Sequence, residues 1–199
     1  MMSTPTKLSD DGLDLLFRNA RTYYAWKPEP VSEATLHEIY ELYKMGPTSF
    51  NTEPARVVFV QTEAAKARLL PALVPVNVEK ARTAPVTAIL AYDTEFYEKL
   101  AKLVPHMDVR GFFAGNDKLI EETAFRNGTL QGAYFIMAAR GLGLDCGPMS
   151  GFDAKKVNAE FFPDGKWKAN FLCNLGHGDG EKLYPRAPRL DFAEACVVL

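Results

Sequence analysis

The sequence predicts an α+β fold, and three observations carry that reading. Segments with helical apolar spacing and short β-branched runs are both present. They do not alternate in the steady strand–helix–strand order of a parallel sheet. No internal repeat, low-complexity tract or Gly/Ser linker interrupts them, so residues 1–199 read as one domain. In chain order, Ser9 can cap a first helix with Asp10 and Asp11 in its electropositive first turn. Leu13, Leu16, Phe17 and Ala20 then fall on one apolar stripe. Ser32 can cap the second helix, with Val31 packing on Leu36 as a hydrophobic staple. Leu36, Ile39, Tyr40 and Tyr43 form its buried face, and Gly46-Pro47 stops it.

Residues 57–60 and 86–92 are β-branched runs that read as buried strands. Between them a helix is expected over 63–70, then a loop holding Pro71 and Pro75. A short helix is expected over 95–103, and 104–116 lacks regular period, so it reads as a mobile loop or lid. Residues 117–140 make the longest helix. Its second half is apolar almost all round, which predicts a central, buried helix in which Gly128 and Gly132 allow close packing. A short helix over 153–162 and a core strand over 171–175 complete the list.

Composition excludes several function classes. A chain of 199 residues can bury a core without disulfides or a structural metal. A net charge of −2 leaves no nucleic-acid footprint and no polybasic membrane patch. Cys146, Cys173 and Cys196 are odd in number and form no CxxC pair, so neither a zinc ribbon nor a disulfide framework is supported. His37, His106 and His177 are isolated, so no metal site is expected. Residues 1–5 lack the basic-then-apolar pattern of a signal peptide, and no apolar run reaches membrane-spanning length. The expectation is a cytoplasmic protein.

Four segments could surround a flat, phosphorylated ligand. Arg18-Asn19-Ala20-Arg21-Thr22 sets guanidinium beside hydroxyl, which suits a phosphate; it also suits an ordinary basic helix C-terminus. The stretch from Gly46 to Pro54, with Pro47, Thr48, Ser49 and Asn51, is dense in donors and acceptors for a heterocycle edge, or is only a turn-rich connection. Asn77 and Lys80 stand one turn apart if helical, either for a ligand or on an exposed turn. The Gly-rich stretch from Gly141 to Phe152 follows a helix and is spaced G-x-G-x-x-x-G. A dinucleotide fingerprint must follow a strand and open a helix, so that reading fails. Ser150-Gly151 can still bring backbone N–H groups close to a ligand.

Taken in order, "RNARTYYAW", "GPTSFNTEPARVVFV", "NVEKARTAPV", "GLGLDCGPMSGFD" and "LGHGDGEKLYPRAPRL" resemble the blocks of the FMN-dependent nitroreductase family, from about Leu13 to the C-terminus. The resemblance implies a nitroreductase-like fold, a mainly antiparallel sheet flanked by helices, in an intertwined homodimer with FMN at the subunit interface. It implies that NADH or NADPH gives hydride to flavin N5 and that a small-molecule acceptor takes it in a ping-pong cycle. By matching position, Arg21 and Thr22 would touch the FMN phosphate, completed by Arg186 and Arg189. Pro47, Thr48, Ser49 and Asn51 would reach the flavin from the partner chain. Asn77 and Lys80 would contact the isoalloxazine and ribityl edge, and Met149, Ser150 and Gly151 the flavin face near N5. Tyr24 stands where many relatives carry a cation, which leaves Lys80 as the main candidate to stabilise negative charge there.

The segments "HMDVRGFF", "EETAFRN" and "GPMSGFD" resemble the malonic semialdehyde reductases of that family, implying reduction of malonic semialdehyde to 3-hydroxypropionate. In the lid, Arg110 could pair the substrate carboxylate and His106 could give the proton. The alternative for Arg110 is a surface pair with Asp108. The alternatives for the whole chain are a broad nitro- or quinone reductase and a flavin-storage protein.

Overall fold

The computed structural model describes residues 7–199, so the reading of residues 1–5 lies outside the described residues. Along the chain run α1 (Asp10–Leu13), a π-helical turn (Asp14–Arg18), α2 (Glu33–Tyr43), β1 (Ala55–Val60), α3 (Glu63–Leu69) and α4 (Pro75–Thr83). Then follow β2 (Val86–Asp93), α5 (Leu100–Leu103), α6 (Asp117–Gly141), β3 (Asp145–Met149), α7 (Ala154–Phe161), β4 (Trp167–Gly176) and α8 (Phe192–Ala195). The strands form one sheet in the order β1-β2-β4-β3, every pair antiparallel. This is the predicted α+β class.

Every residue of β2 is buried, because both sheet faces are covered. Alternation along a strand sends Val86, Ala88 and Leu90 to one face, where Leu36 and Ile39 of α2 and Phe135 and Ala139 of α6 meet them. Ile89 and Ala91 face the other way, onto Leu69 of α3, Ala81 of α4 and Val157 of α7. Opposite β2, Leu90 pairs with Phe171 but Ala91 pairs with Ala169, so β4 bulges at Asn170. Cys146 and Cys173 are both buried in the core; the Cys146 thiol and burial together push the Cys173 thiol well up.

Several elements differ from expectation for identifiable reasons. The Ser9 cap forms, its hydroxyl accepting from Gly12 N–H at 3.1 Å, but the helix is a single turn. A π turn carries an extra residue, which rotates later side chains off the 3.6-residue stripe, and Phe17 is 56% exposed. Ser32 caps α2 as expected, and Val31 and Leu36 share one cluster. Tyr40, expected inside, is 45% exposed at the rim of that stripe, with Lys44 over its ring. Pro75 opens α4 at its first position, where a missing N–H is harmless, so the expected loop contains a helix. The Gly-rich stretch contains β3, whose Pro148 is tolerated because β3 is an edge strand.

The long helix α6 is not buried all round. Its inner face carries Ile120, Ala124, Gly128, Gly132, Phe135 and Ala139. A Cβ at Gly128 would lie 3.0 Å from Tyr92 Cβ, and one at Gly132 would lie 2.6 Å from the Phe171 ring, so these glycines let the helix lie directly on the sheet. On its outer side Leu130 and Tyr134 are 42% and 40% exposed, and Phe125 on the flank, edge-on to Tyr92, is 51% exposed. The 104–116 segment is irregular in period but packed. Val104, Val109 and Phe113 bury against Phe96, Leu100 and Ile120. Among the described residues, no helix is long and apolar enough to cross a membrane.

Candidate functional site

The candidate residues fall into two groups. The first gathers at the β3 edge. Thr22 bridges Cys146 in parallel, and Tyr23 N–H bonds Cys146 O at 3.1 Å, so the 21–23 segment extends the sheet. That extension sets Arg21 beside the C-terminal segment, where its guanidinium donates to Tyr184 O at 2.5 Å. Arg186 donates to Ala20 O at 3.1 Å, so the two guanidinium groups tie the 20–21 and 184–186 stretches to each other. Among the described residues, Arg189 bonds Ala187 O and Pro188 O of its own segment alone.

Helix α4 forms the next wall. Asn77 and Lys80 share one of its faces, with Lys80 Nζ donating to Asn77 Oδ1 at 3.1 Å. Asn77 is 6% exposed and donates to Gly151 O at 3.1 Å, which rules out the exposed-turn reading of this pair. Lys80 Nζ also sits 4.8 Å from the centroid of the Tyr24 ring, a cation–π contact that holds the ammonium beside Asn77. Met149 ends β3 half-buried, and Ser150 is exposed beside it. A Cβ on Gly151 would lie 2.6 Å from Asn77 Nδ2, so only glycine fits this approach.

The second group lies at the start of β1. Phe50, Asn51 and Glu53 take left-handed φ values of 49°, 50° and 39°, a conformation that costs roughly 1–3 kcal/mol per non-glycine residue. Thr48 Oγ1 accepts from Glu53 N–H at 3.2 Å, and Pro47 and Ser49 lie at the surface. Asn51 Nδ2 donates to Leu103 O at 3.0 Å, and Phe50 stacks on Phe112, which joins this turn to the 103–112 segment. His106 and Arg110 line one depression of about 370 Å³ with Val104, Pro105 and Asp108. Arg110 is committed elsewhere than expected. It forms a two-pronged pair with Glu98 at 2.9 and 2.5 Å, while Asp108 accepts only its backbone N–H. The Arg110 guanidinium holds the Glu98 carboxyl below its ordinary range.

Strands β1 and β3 are opposite edges of the sheet. Three inter-strand spacings put them about 14 Å apart. Within one chain, then, the two groups face different sides. A larger groove of about 710 Å³ opens between α2 and β1, lined by Tyr40, Tyr43, Arg56 and Phe59; it touches neither the Arg21 nor the Lys80 cluster. Among the described residues, no group of three His, Cys, Asp or Glu side chains is placed to hold a metal ion. Tyr184, Asn127 and Gln131 take part in these groups without having been singled out in the sequence. Polar residues four apart on an otherwise apolar helix face were the available signal for the last two.

Guanidinium forks suit a phosphate, the Asn77–Lys80 pair suits a polar heteroaromatic edge, and the close approach at Gly151 fixes the Asn77 amide beside Ser150. The residues present therefore fit a flat phosphorylated ligand such as FMN. The model described as Nitroreductase family matches residues 17–177. A chain of Polynucleobacter asymbioticus named "Putative NADH dehydrogenase/NAD(P)H nitroreductase" is 58% identical over 192 residues, spanning 96% of this chain and 98% of its own. A relative of the same name from Rhodopseudomonas palustris is 57% identical over 192 residues, again spanning 96% and 98%. The crystal structure of a "putative nitroreductase in complex with FMN" from Exiguobacterium sibiricum superposes with a TM-score of 0.84 at 17% identity, covering 98% of this chain and 100% of that one. The chain belongs to the nitroreductase family.

Proposed function

We propose that this chain is an FMN-dependent NAD(P)H oxidoreductase that works as an intertwined homodimer, each copy a single domain over residues 1–199. The observation that carries this reading is the cluster of Arg21, Arg186, Asn77, Lys80 and Gly151 at one sheet edge. The names of the relatives and the FMN bound by a structural neighbour point the same way. Arg21, Thr22, Arg186 and Arg189 hold the phosphate. Asn77 and Lys80 take the isoalloxazine and ribityl edge, and Met149, Ser150 and Gly151 line the flavin face. When bound, FMN supplies the two-electron carrier that accepts hydride from NADH or NADPH and passes it to the acceptor.

Pro47, Thr48, Ser49 and Asn51 reach that flavin from the second copy. Their position on the opposite sheet edge from the Arg21 cluster supports this. So do the exposed apolar face of α6 and the exposed tail residues Leu190, Phe192, Val197 and Leu199, which have too little of their own chain to cover them.

The acceptor is malonic semialdehyde, reduced to 3-hydroxypropionate. Arg110 pairs the substrate carboxylate and His106 gives a proton to the carbonyl oxygen. For this the substrate must displace Glu98 from Arg110. The Glu98 pair favours a second reading, a broad nitro- or quinone reductase in which Arg110 only braces the lid. Product analysis with malonic semialdehyde, a nitroarene and a quinone tests the two. Arg110→Ala lowers kcat/KM for the semialdehyde by roughly ten- to hundredfold on the first reading, the scale of a lost charged hydrogen bond, and leaves the quinone unchanged. Equal losses on both acceptors leave only the second.

A further inference from the structure

Asn127 and Gln131 stand one turn apart on the inner face of α6, 5% and 2% exposed. A buried amide on an apolar helix face is unfavourable unless it is hydrogen-bonded. Both amides bond the same segment, from its two ends. Asn127 Oδ1 accepts from Ser49 N–H at 2.8 Å, and Gln131 Oε1 accepts from Ala55 N–H at 2.9 Å. Between these anchors lie the three left-handed residues Phe50, Asn51 and Glu53, none of them glycine. Thr52 is wholly buried there, and its hydroxyl has no partner among the described residues. Such a backbone persists only where its surroundings over-determine it. The bond from Thr48 to Glu53 closes the turn locally, and Arg56 Nη1 on Glu53 O braces it from β1. The two α6 amides tie it to the helix that lies on the sheet.

We infer that Asn127 and Gln131 are positioning residues, which clamp the 49–55 turn in its left-handed form and so set where Ser49 and Asn51 meet the flavin. This rests on the reading that the turn faces FMN. Neither amide touches the ligand; each acts through a backbone N–H. The role needs only an acceptor at the right place, so glutamate at 131 can fill it and methionine, of similar length, cannot.

The test uses the whole protein in four forms: the Asn127→Leu/Gln131→Met pair, Gln131→Glu, the Thr48→Ala/Asn51→Ala pair, and Ile39→Val as a core control outside the turn. Two quantities are read, hydrogen exchange at the amides of the 49–55 turn and the affinity and visible absorption band of titrated FMN. Asn127→Leu/Gln131→Met should speed exchange and weaken FMN by about tenfold or more, the scale of a lost hydrogen bond, and shift the band. Gln131→Glu should keep both close to the wild-type values, and Ile39→Val should change neither. Unchanged exchange overturns the clamp. Faster exchange with wild-type FMN affinity and band overturns the positioning role. In that case Thr48→Ala/Asn51→Ala separates the causes. If that pair also leaves FMN untouched, the flavin reading of the turn has failed; if it weakens FMN, only the coupling through α6 has.

Discussion

The ring of Phe50 lies on the ring of Phe112, centroids 6.1 Å apart and planes 26° from parallel. Phe50 belongs to the strained turn and Phe112 to the 104–116 segment, so the two segments are joined by more than the Asn51–Leu103 hydrogen bond. Aromatic pairs of this kind contribute about 0.5–1.5 kcal/mol beyond their buried area. A double-mutant cycle of Phe50→Ala and Phe112→Ala in urea unfolding should return a coupling of that size. Strictly additive losses would mean the rings are neighbours without being partners.

The proposed phosphate site ranks its arginines. Arg186 reaches the backbone beside Arg21, whereas Arg189 is turned onto its own segment. Arg186→Ala should therefore weaken FMN binding by about 1.5–3 kcal/mol, the value of a hydrogen bond to a charged group, and Arg189→Ala by less. Fluorescence titration of FMN decides the order. The reverse ranking would mean that Arg189 swings to the phosphate on binding.

Glu98 and the substrate carboxylate compete for one guanidinium if Arg110 is the clamp. Glu98→Gln removes the charge of the competitor. It should lower KM for malonic semialdehyde and leave a quinone unaffected. Because Arg110 holds the Glu98 carboxyl below its usual range, the native competitor stays ionised throughout the neutral pH range, so the gain should be flat there. No change in KM for the carboxylate substrate would take Arg110 off the substrate path.

Glu121 gives a pH signature in stability. Burial pushes its carboxyl up, but hydrogen bonds from Lys168 at 2.7 Å and Tyr92 at 2.6 Å outweigh burial and hold it lower than an ordinary glutamate. A folded-state pKa below the unfolded one stabilises the protein above the unfolded value, and the contribution is lost as pH falls through the folded one. Glu121→Gln should therefore be less stable than the parent at neutral pH, with the gap closing as the medium becomes acid enough to protonate glutamate. Chemical unfolding across that range measures it. A gap that does not depend on pH would mean the side chain matters by packing alone.

Leu130 sits on the exposed face of α6, so a charge there should leave the core of one copy intact. Leu130→Glu is expected to sediment as a folded monomer with poor FMN retention. A dimer with normal FMN content would place the subunit contact elsewhere.

Much of the fold was legible because local chemistry and packing agreed. The Ser32 cap, the Val31–Leu36 staple and the β-branched run of β2 point to the elements that form. Where reading failed, one residue carried two meanings. Pro75 is both a breaker and a good first helical residue, and Pro148 is excluded from central strands yet allowed at an edge. The exposed side of α6 reads as core because apolar composition alone does not tell a covered face from an open one. Pairings distant in sequence, such as Arg110 with Glu98 or Asn127 with Ser49, leave no periodic trace at all.

The left-handed turn places a limit on how this protein can be improved. Glycine at position 53 would adopt the same φ without steric cost, and nothing in the geometry of the turn forbids it. A laboratory population selected only for surviving heat should therefore accumulate glycine there, relaxing the backbone that the present sequence keeps tense. The same exchange would let the turn sample other shapes and blur the placement of Asn51 and its neighbours. Robustness and catalytic competence would then pull this one position in opposite directions, a conflict expected where natural sequences stop short of their stability optimum.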